Sequence, residues 1–242
     1  GGKDWYSLSG IFGLLPLLIG SLWVTIIALL IAIPLSISTA IYISEYANKK
    51  TREILKIIIE SMAAIPSVVL GFLGIFVLAD PIRKIFGLDT GLTALTGGII
   101  LAFMALPTMI SISDDALRAL DKSYKEASLA LGASKLYTIT KVLLPAAFPG
   151  IFAGIMLGFG RIMGETMTVL MVTGNSPNLQ VGPLSSVRTM TATIAAEMGE
   201  VVRGSGHYYS LFAIGMVLFG ITFITNMLAD YFIEKERKNM KG

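Results

Sequence analysis

Cysteine is absent from the 242-residue sequence, and charged residues are scarce. Without cysteine the chain can form no disulfide, no thiolate metal site and no cysteine nucleophile. Asp, Glu, Lys and Arg make up only 14% of the residues, whereas a soluble domain averages about 25%. The single histidine, His207, cannot build an HExxH metal site, and we expect it to lie at the surface, at the end of a span. No metal site is predicted.

Motifs for nucleotide binding and hydrolysis are missing as well. The sequence GxxxxGK[ST] does not occur, so this chain is not expected to bind ATP in the usual way. A GxSxG nucleophile motif is also absent. No basic cluster carries interleaved aromatic residues of the kind that single-stranded nucleic acid requires. The sequence therefore indicates neither a cofactor in this chain nor a nucleic-acid partner.

Hydrophobic residues, by contrast, are abundant. They account for 54% of the chain, and the mean hydropathy is +0.76. Crossing about 30 Å of hydrocarbon takes roughly 20 helical residues. Five stretches without any charged residue are long enough to hold such a span: 5–44, 61–79, 90–113, 142–160 and 204–229. We predict an all-α integral membrane protein with about five transmembrane helices in a single domain, residues 1–242.

The predicted spans differ in their proline content and in their connections. The expected bounds are about 16–43 with Pro34 inside, 92–112 with Pro107 inside, 148–173 and 208–232. The second helix is expected to start within the basic segment 44–56 and to continue through 60–79, with Pro66 in mid-span. An internal proline removes one helical hydrogen bond and should bend a helix. We expect an external loop over 80–91 and an external or partly inserted helix within 174–207.

The distribution of Lys and Arg predicts the orientation in the membrane. Thirteen of the 19 lie in three alternate segments, 45–56, 113–147 and 233–242, and only five lie in the segments between them. The side rich in Lys and Arg is cytoplasmic, so we expect the C-terminus inside and the N-terminus outside. Because the sequence begins with Gly and shows no signal peptide, we expect a longer natural N-terminus with a preceding span.

Residues 113–147, named the coupling loop below, are too polar to span a membrane and too apolar to be a free linker. Apolar side chains recur at helical spacing from Ala116 to Leu131, which predicts short amphipathic helices at the inner surface. Within this loop Glu126-Ala127-Ser128 is followed by three residues, Gly132, nine residues, Val142, one residue and Leu144-Pro145.

This spacing resembles the loop motif of permeases in binding-protein-dependent importers, with Ser128 and Val142 as the two departures. The resemblance implies the MetI-like permease fold of type I ABC importers. It also implies that the coupling loop is a helix–turn–helix that docks on an ATPase subunit through Glu126, Ala127, Ser128, Gly132, Leu144 and Pro145. Gly132 would permit the tight turn, and the small Ala127 and Ser128 would allow close approach. The alternative is an interfacial helix without a docking role.

Three further segments, 60–78, 160–175 and 189–215, are similar to phosphate permeases of the PstC type, and the similarity spans about residues 10–235. The resemblance implies phosphate import without covalent chemistry in this chain. The implied partners are a PstA-like permease, a PstB-like ATPase dimer that uses ATP, an external PstS-like binding protein and membrane lipid. Alternatives are import of sulfate or molybdate by the same architecture, a passive channel or an intramembrane enzyme.

Arg161 and Glu165 are the charged residues of the fourth predicted span and its end. Residues four apart share a helix face, and a charge at mid-bilayer costs about 2.5–3.5 kcal/mol, so it normally faces a partner or a polar path. The planar guanidinium of Arg161 has N–H donors in an arrangement that matches phosphate oxygens. Glu165 would hold this guanidinium in place when substrate is absent. We predict a substrate path with Arg161, Glu165, Thr166 and, at the inner end of span two, Glu60. A purely structural ion pair is the alternative.

Glycines recur at intervals of four in the same span. Gly150, Gly154 and Gly158 form one row, and Gly160 and Gly164 form another. Small residues at this interval let helices approach closely in lipid. The spacing leaves two interpretations open, packing within the chain and packing at a subunit interface.

Overall fold

The described part of the chain is mostly helical. A computed structural model of the chain describes residues 2, 4–177, 179 and 182–239. Within them a small antiparallel hairpin, β1 (Trp5–Tyr6) and β2 (Ile11–Phe12), precedes eleven α-helices. These are α1 (Leu15–Ile41), α2 (Lys49–Ala63), α3 (Ser67–Leu73), α4 (Asp80–Phe86), α5 (Ala94–Arg118), α6 (Lys122–Ala130), α7 (Lys135–Thr138), α8 (Leu144–Gly164), α9 (Met167–Val172), α10 (Met190–Glu197) and α11 (Gly206–Asn239). The predicted all-α fold class is confirmed.

Among the residues that the structure describes, four continuous stretches are long and apolar enough to cross a membrane: Leu15–Tyr46, Ala94–Arg118, Lys135–Gly164 and Gly206–Tyr231. A fifth candidate is the pair Lys49–Ala63 and Ser67–Phe86, whose two halves are bent by 93°. The prediction of about five spans is therefore confirmed as four continuous spans and one bent pair.

Pro66 lies at a break between α2 and α3, so the predicted helix that continues through it is wrong. It has an extended conformation with φ −61° and ψ 140° immediately before α3. A proline ring pushes the preceding residue out of the α region, so Ile65 cannot continue α2. Pro66 thus marks the 93° bend. Pro34 and Pro107, in contrast, lie inside α1 and α5 as predicted.

The fourth span differs from the prediction at both ends. Helical structure begins at Lys135 and passes through a π-helical segment, Ile139–Leu143, into α8. Ile139 and Leu143 are buried in a hydrophobic core. This packing stabilises helical structure before residue 148, where the span was predicted to begin. At the other end α8 stops at Gly164, and α9 is a separate short helix. Glycine weakens helix continuation, and Thr166 with φ −119° departs from helical geometry.

Two connecting segments contain helices. α4 lies within the predicted loop 80–91 and ends at Gly87, which adopts the left-handed conformation with φ 63°. α10 lies within 174–207, as the sequence predicted, and Thr189 caps it by accepting a hydrogen bond from the Ala192 amide at 3.2 Å.

The chain divides into two compact units. Unit 1 comprises Gly1–Ile31, Ile65–Met104 and Phe159–Phe223. Its buried core contains one residue from the hairpin and others from α1, α8, α10 and α11: Trp5, Leu17, Met163, Met190, Leu211 and Ile214.

Unit 2 comprises Ala32–Ala64, Ala105–Gly158 and Ile224–Gly242. Its core joins the end of α1 to α5 and to the helices of the fourth span, through Ala40, Leu117, Ile139, Leu143, Ala147 and Ile151. The assignment of one transmembrane domain remains a prediction.

Candidate functional site

The coupling loop contains the predicted helix–turn–helix, formed by α6, a turn over 131–134 and α7. Asp121 caps α6 by accepting a hydrogen bond from the Ser123 amide at 2.8 Å. That hydrogen bond lowers the pKa of the Asp121 carboxyl and favours its charged form. Ser134 caps α7 by accepting a hydrogen bond from the Tyr137 amide at 3.2 Å. Both helices therefore start on local capping residues.

Gly132 occupies the left-handed region with φ 82°. A Cβ at this position would meet nothing within 4 Å. Glycine is thus required by the backbone conformation and not by lack of space. The expected tight turn is confirmed, with this physical reason.

Ser128, one of the two departures from the motif, joins the two helices of the loop. Its hydroxyl is hydrogen-bonded to that of Thr138 at 2.9 Å, and both residues are buried. Thr138 also donates to the Ser134 carbonyl at 3.1 Å. The hydroxyl of Ser128 therefore adds a contact that alanine would lack, and the small side chain still permits close packing.

A groove of about 690 Å³ runs along the turn, and apolar side chains around it are exposed. Of its lining residues, Leu131 is 89% exposed and Tyr137 is 55% exposed, and the neighbouring Leu136 is 66% exposed. Such exposed apolar patches mark interaction surfaces. The remaining motif residues surround the same loop: Glu126, Ala127 and Pro145 are exposed and Leu144 is half-buried. Docking of an ATPase here remains a prediction that this surface favours.

Glu45, which the sequence analysis missed, holds the coupling loop to the end of α1. Its carboxylate pairs with Lys125 of α6. Its backbone carbonyl accepts a hydrogen bond from Lys135 Nζ at 2.8 Å, and the same ammonium lies 4.0 Å from the centroid of the Tyr46 ring. Both helices of the loop are therefore attached to one short segment. The available signal was that a carboxylate, Glu45, opens the basic run 45–56 directly after an uncharged stretch.

Arg161 lies on an open face of α8. Its side chain is half-buried and has no hydrogen-bond or ion-pair partner within the part of the chain that the structure describes. Gly160 and Gly164 share this region of the helix, and a Cβ at either would meet nothing within 4 Å. An unpaired guanidinium in an apolar span normally faces a polar path or a partner. The described residues of unit 1 leave this side of α8 accessible.

The predicted ion pair between Arg161 and Glu165 is wrong. Because α8 ends at Gly164, the two residues do not share one continuous helix face. Glu165 is buried, and its Oε1 accepts a hydrogen bond from the Thr168 amide at 3.0 Å in the first turn of α9. The carboxylate is directed to the following helix instead of to Arg161.

The break between α8 and α9 is tied to two other elements of unit 1. The Thr191 hydroxyl of α10 donates to the Glu165 carbonyl at 2.7 Å. The Thr168 hydroxyl donates to the Ser67 carbonyl at the start of α3 at 2.9 Å. Thr166 is half-buried at the break, and its hydroxyl donates to the Gly164 carbonyl at 3.3 Å. These contacts satisfy backbone groups that the interrupted helix would otherwise leave free.

Glu60 lies exposed in the last turn of α2, in unit 2. Its part in a substrate path remains a prediction.

The two glycine rows of α8 have different surroundings. A Cβ at Gly150 would lie 2.5 Å from the Ala116 side chain, and one at Gly158 would lie 2.6 Å from Met109. Gly154 similarly faces Ile112 of α5. The first row therefore packs within the chain, whereas the second row, Gly160 and Gly164, is open.

A second cluster that the sequence analysis missed surrounds Glu197 in unit 1. Its carboxylate accepts hydrogen bonds from Trp5 Nε1 at 3.1 Å and from Arg188 Nη1 at 2.7 Å. It also lies 2.7 Å from His207 Nε2, and the His207 ring stacks on Phe12 with centroids 5.4 Å apart. The expected surface role of His207 is wrong, because its side chain is only 23% exposed and is held by these contacts. The cluster fastens the N-terminal hairpin to α10 and α11.

Comparison with known proteins gives matches over most of the chain. The family model of the binding-protein-dependent transport system inner membrane component matches residues 32–238. The probable ABC transporter permease protein YqgH of Bacillus subtilis is 41% identical over 226 residues, which cover 93% of this chain and 73% of that protein. The probable phosphate transport system permease protein PstC of Methanocaldococcus jannaschii is 33% identical over 246 residues, covering 95% of this chain and 78% of that protein.

A solved structure of the MetNI methionine ABC transporter in an inward-facing conformation has the same fold. The TM-score is 0.71 at 17% identity, and the match covers 92% of this chain and 97% of that chain. At this identity the likeness concerns the fold alone.

Proposed function

The chain belongs to the family of binding-protein-dependent transport system inner membrane components, and we propose that the substrate it carries is phosphate. As a member of this family it is an integral membrane permease subunit of an ABC importer, a transport component and not an enzyme. Family members work with ATPase and substrate-binding partners.

The unpaired Arg161 on the open face of α8 is the observation that supports the phosphate proposal within this chain. Its guanidinium offers several N–H donors in a planar fork that matches the oxygens of a tetrahedral oxyanion. No carboxylate of the described residues is paired with the Arg161 guanidinium. Relatives that are about a third identical carry the name of phosphate permeases. We propose that Arg161 stabilises the passing anion and that Glu165 acts by holding the start of α9.

The open glycine row suggests where the substrate path lies. Gly160 and Gly164 flank Arg161 without contacts of their own in the described chain. We propose that a second, PstA-like permease faces this side of α8, so that the path runs between the two subunits. A small-residue surface would allow that approach. Lipid alone would leave the guanidinium in hydrocarbon, at a cost of about 2.5–3.5 kcal/mol.

The coupling loop is proposed to dock on a PstB-like ATPase dimer, which binds and hydrolyses ATP. Its exposed Leu131 and Leu136 supply apolar contact area, and the fixed turn at Gly132 sets its shape. A PstS-like binding protein would deliver phosphate on the opposite side. ATP hydrolysis would then drive alternating opening without a cofactor in this chain. The excess of Lys and Arg places the coupling loop and the C-terminus in the cytoplasm in this proposal.

Sulfate and molybdate are the rival substrates, since an arginine fork also suits other tetrahedral oxyanions. Uptake by the assembled importer in proteoliposomes, measured with phosphate in competition with sulfate or molybdate, separates them. We expect ATP-dependent phosphate uptake that excess sulfate does not reduce. Uptake of sulfate in preference to phosphate would overturn the substrate assignment and leave the permease assignment intact. Transport by the purified chain without any ATPase would instead favour a passive channel.

A further inference from the structure

A pocket of about 350 Å³ in unit 2 lies where two candidate spans end. It is bordered by the end of α1 with its π-helical extension, the start of α2, the end of α5 and the start of α6. The spans Leu15–Tyr46 and Ala94–Arg118 both terminate at it. The pocket therefore lies at the level where helices leave the hydrocarbon and meet lipid headgroups.

Four cations line this pocket: Arg52, Arg118, Lys122 and Lys125. Arg52 donates from Nε to the Ile43 carbonyl at 3.0 Å and from Nη2 to the Ser44 carbonyl at 3.1 Å. These bonds fix its guanidinium plane and leave Nη1 without a partner in the described chain.

Arg118 is held in the same manner. Its Nε donates to Asp114 Oδ1 at 3.0 Å, and its two Nη groups have no partner among the described residues. Lys122 is exposed and is not paired with any described residue. The pocket thus presents several unused donors on pre-oriented side chains.

The two carboxylates that line the pocket are already engaged. Glu45 pairs with Lys125, and Asp121 accepts the Ser123 amide in the cap of α6. Of the four cations, Lys125 is paired with Glu45 and Arg118 with Asp114, whereas Arg52 and Lys122 have no carboxylate partner among the described residues. The pocket has an excess of positive charge and offers donors but few free acceptors.

We propose that this pocket binds one phosphate group, carried by an anionic phospholipid headgroup or present as free inorganic phosphate. Arginine forks recognise phosphate oxygens in two-point contacts. Basic pockets between helices at a membrane surface select anionic headgroups. The position of the pocket at the ends of two spans favours a lipid headgroup. Its hydrogen-bond donors alone would suit the phosphate group of a lipid or free inorganic phosphate equally well. This site is separate from Arg161 and does not depend on the substrate of the importer.

The lipid source is tested on the full chain in detergent, titrated with phosphatidylglycerol and followed by native mass spectrometry. Lys122→Gln removes one unpaired cation of the pocket. Lys50→Gln is the matched control, because Lys50 is exposed, lies in the basic segment 45–56 that also supplies Arg52, and is outside the pocket. We expect Lys122→Gln to weaken the first lipid-binding step about fivefold, Lys122→Arg to retain it and Lys50→Gln to leave it nearly unchanged.

The free-anion source is tested by equilibrium binding of radiolabelled inorganic phosphate to the chain in nanodiscs of phosphatidylcholine alone. Binding that Lys122→Gln weakens and Lys50→Gln preserves assigns the site to free phosphate. Lipid selectivity without such binding assigns it to a headgroup. Equal losses in the Lys122 and Lys50 variants, or no effect of Lys122→Gln in either arm, would overturn the proposal, since diffuse surface attraction would then account for all binding.

Discussion

Glu165 accepts a hydrogen bond from the Thr168 backbone amide at 3.0 Å, across the break between α8 and α9. The contact gives Glu165 a positional role, and it leaves Arg161 without a counter-charge in the described chain. The residue expected to neutralise the arginine therefore supports the neighbouring helix. The two side chains are expected to respond differently to substitution.

Glu165→Gln should preserve the helix start, because the amide oxygen of Gln can also accept the Thr168 N–H. Glu165→Ala removes the acceptor and should destabilise the protein by about 0.5–2 kcal/mol, as loss of a helix cap does. Thermal unfolding of the purified importer, together with uptake, measures both variants. Equal loss of activity in the two variants would instead mean that uptake depends on the negative charge of Glu165 and not on its hydrogen bond to Thr168.

Gly132 gives a test of the coupling loop that separates backbone strain from crowding. Gly132→Asn should be milder than Gly132→Val, because Asn tolerates the left-handed region and a β-branched residue does not. The space around the position admits either Cβ. We expect Gly132→Val to insert in the membrane but to lose substrate-stimulated ATP hydrolysis. Normal stimulation in that variant would contradict the docking assignment.

The contact between Glu45 and Lys125 predicts a charge-exchange rescue. Glu45→Lys should loosen α6 and cost about 1.5 kcal/mol, the lower end of the range for a charge-assisted hydrogen bond, since Lys125 is 39% exposed. The double variant Glu45→Lys, Lys125→Glu should recover part of the loss. A double-mutant cycle on unfolding and on ATPase coupling measures the interaction. No recovery in the double variant would mean that Glu45 acts through other contacts.

Much of this architecture follows from the sequence because its signals are strong and local. The uncharged runs are long enough to define spans, and the motif from Glu126 to Pro145 predicts two short helices around Gly132. Both expectations are confirmed. Helical spacing also places Gly150, Gly154 and Gly158 on one face, although spacing alone does not say which helix covers it.

The remaining features depend on tertiary contacts or on small departures of the backbone. Gly160 and Gly164 weaken the helix, but glycine content alone does not determine that α8 stops at Gly164. The break is supported by one hydrogen bond, from the hydroxyl of Thr191, which is distant in the sequence, to the Glu165 carbonyl. Glu45 likewise pairs with Lys125, 80 positions away. Periodicity describes one helix at a time and carries no information about such partners.

Topology can be tested cleanly because the chain has no cysteine. A single cysteine at Leu131, which is 89% exposed, should resist an impermeant thiol reagent added to intact cells. A cysteine at the exposed Glu200, between α10 and α11, should react. Labelling at position 131 from outside would reverse the proposed orientation and remove the basis for ATPase docking.

The proposed role of Arg161 is to stabilise phosphate on its path through the membrane. The most direct measurement is ATP-dependent phosphate uptake by proteoliposomes that contain the assembled importer, with the yield of complex determined in parallel. Arg161→Gln should lower uptake by about 10- to 100-fold, equivalent to charge-assisted hydrogen bonds of about 1.5–3 kcal/mol, without loss of assembly. Arg203→Gln, at an exposed position outside the span, is the matched control and should keep normal uptake. Near-normal phosphate uptake by Arg161→Gln would contradict the account.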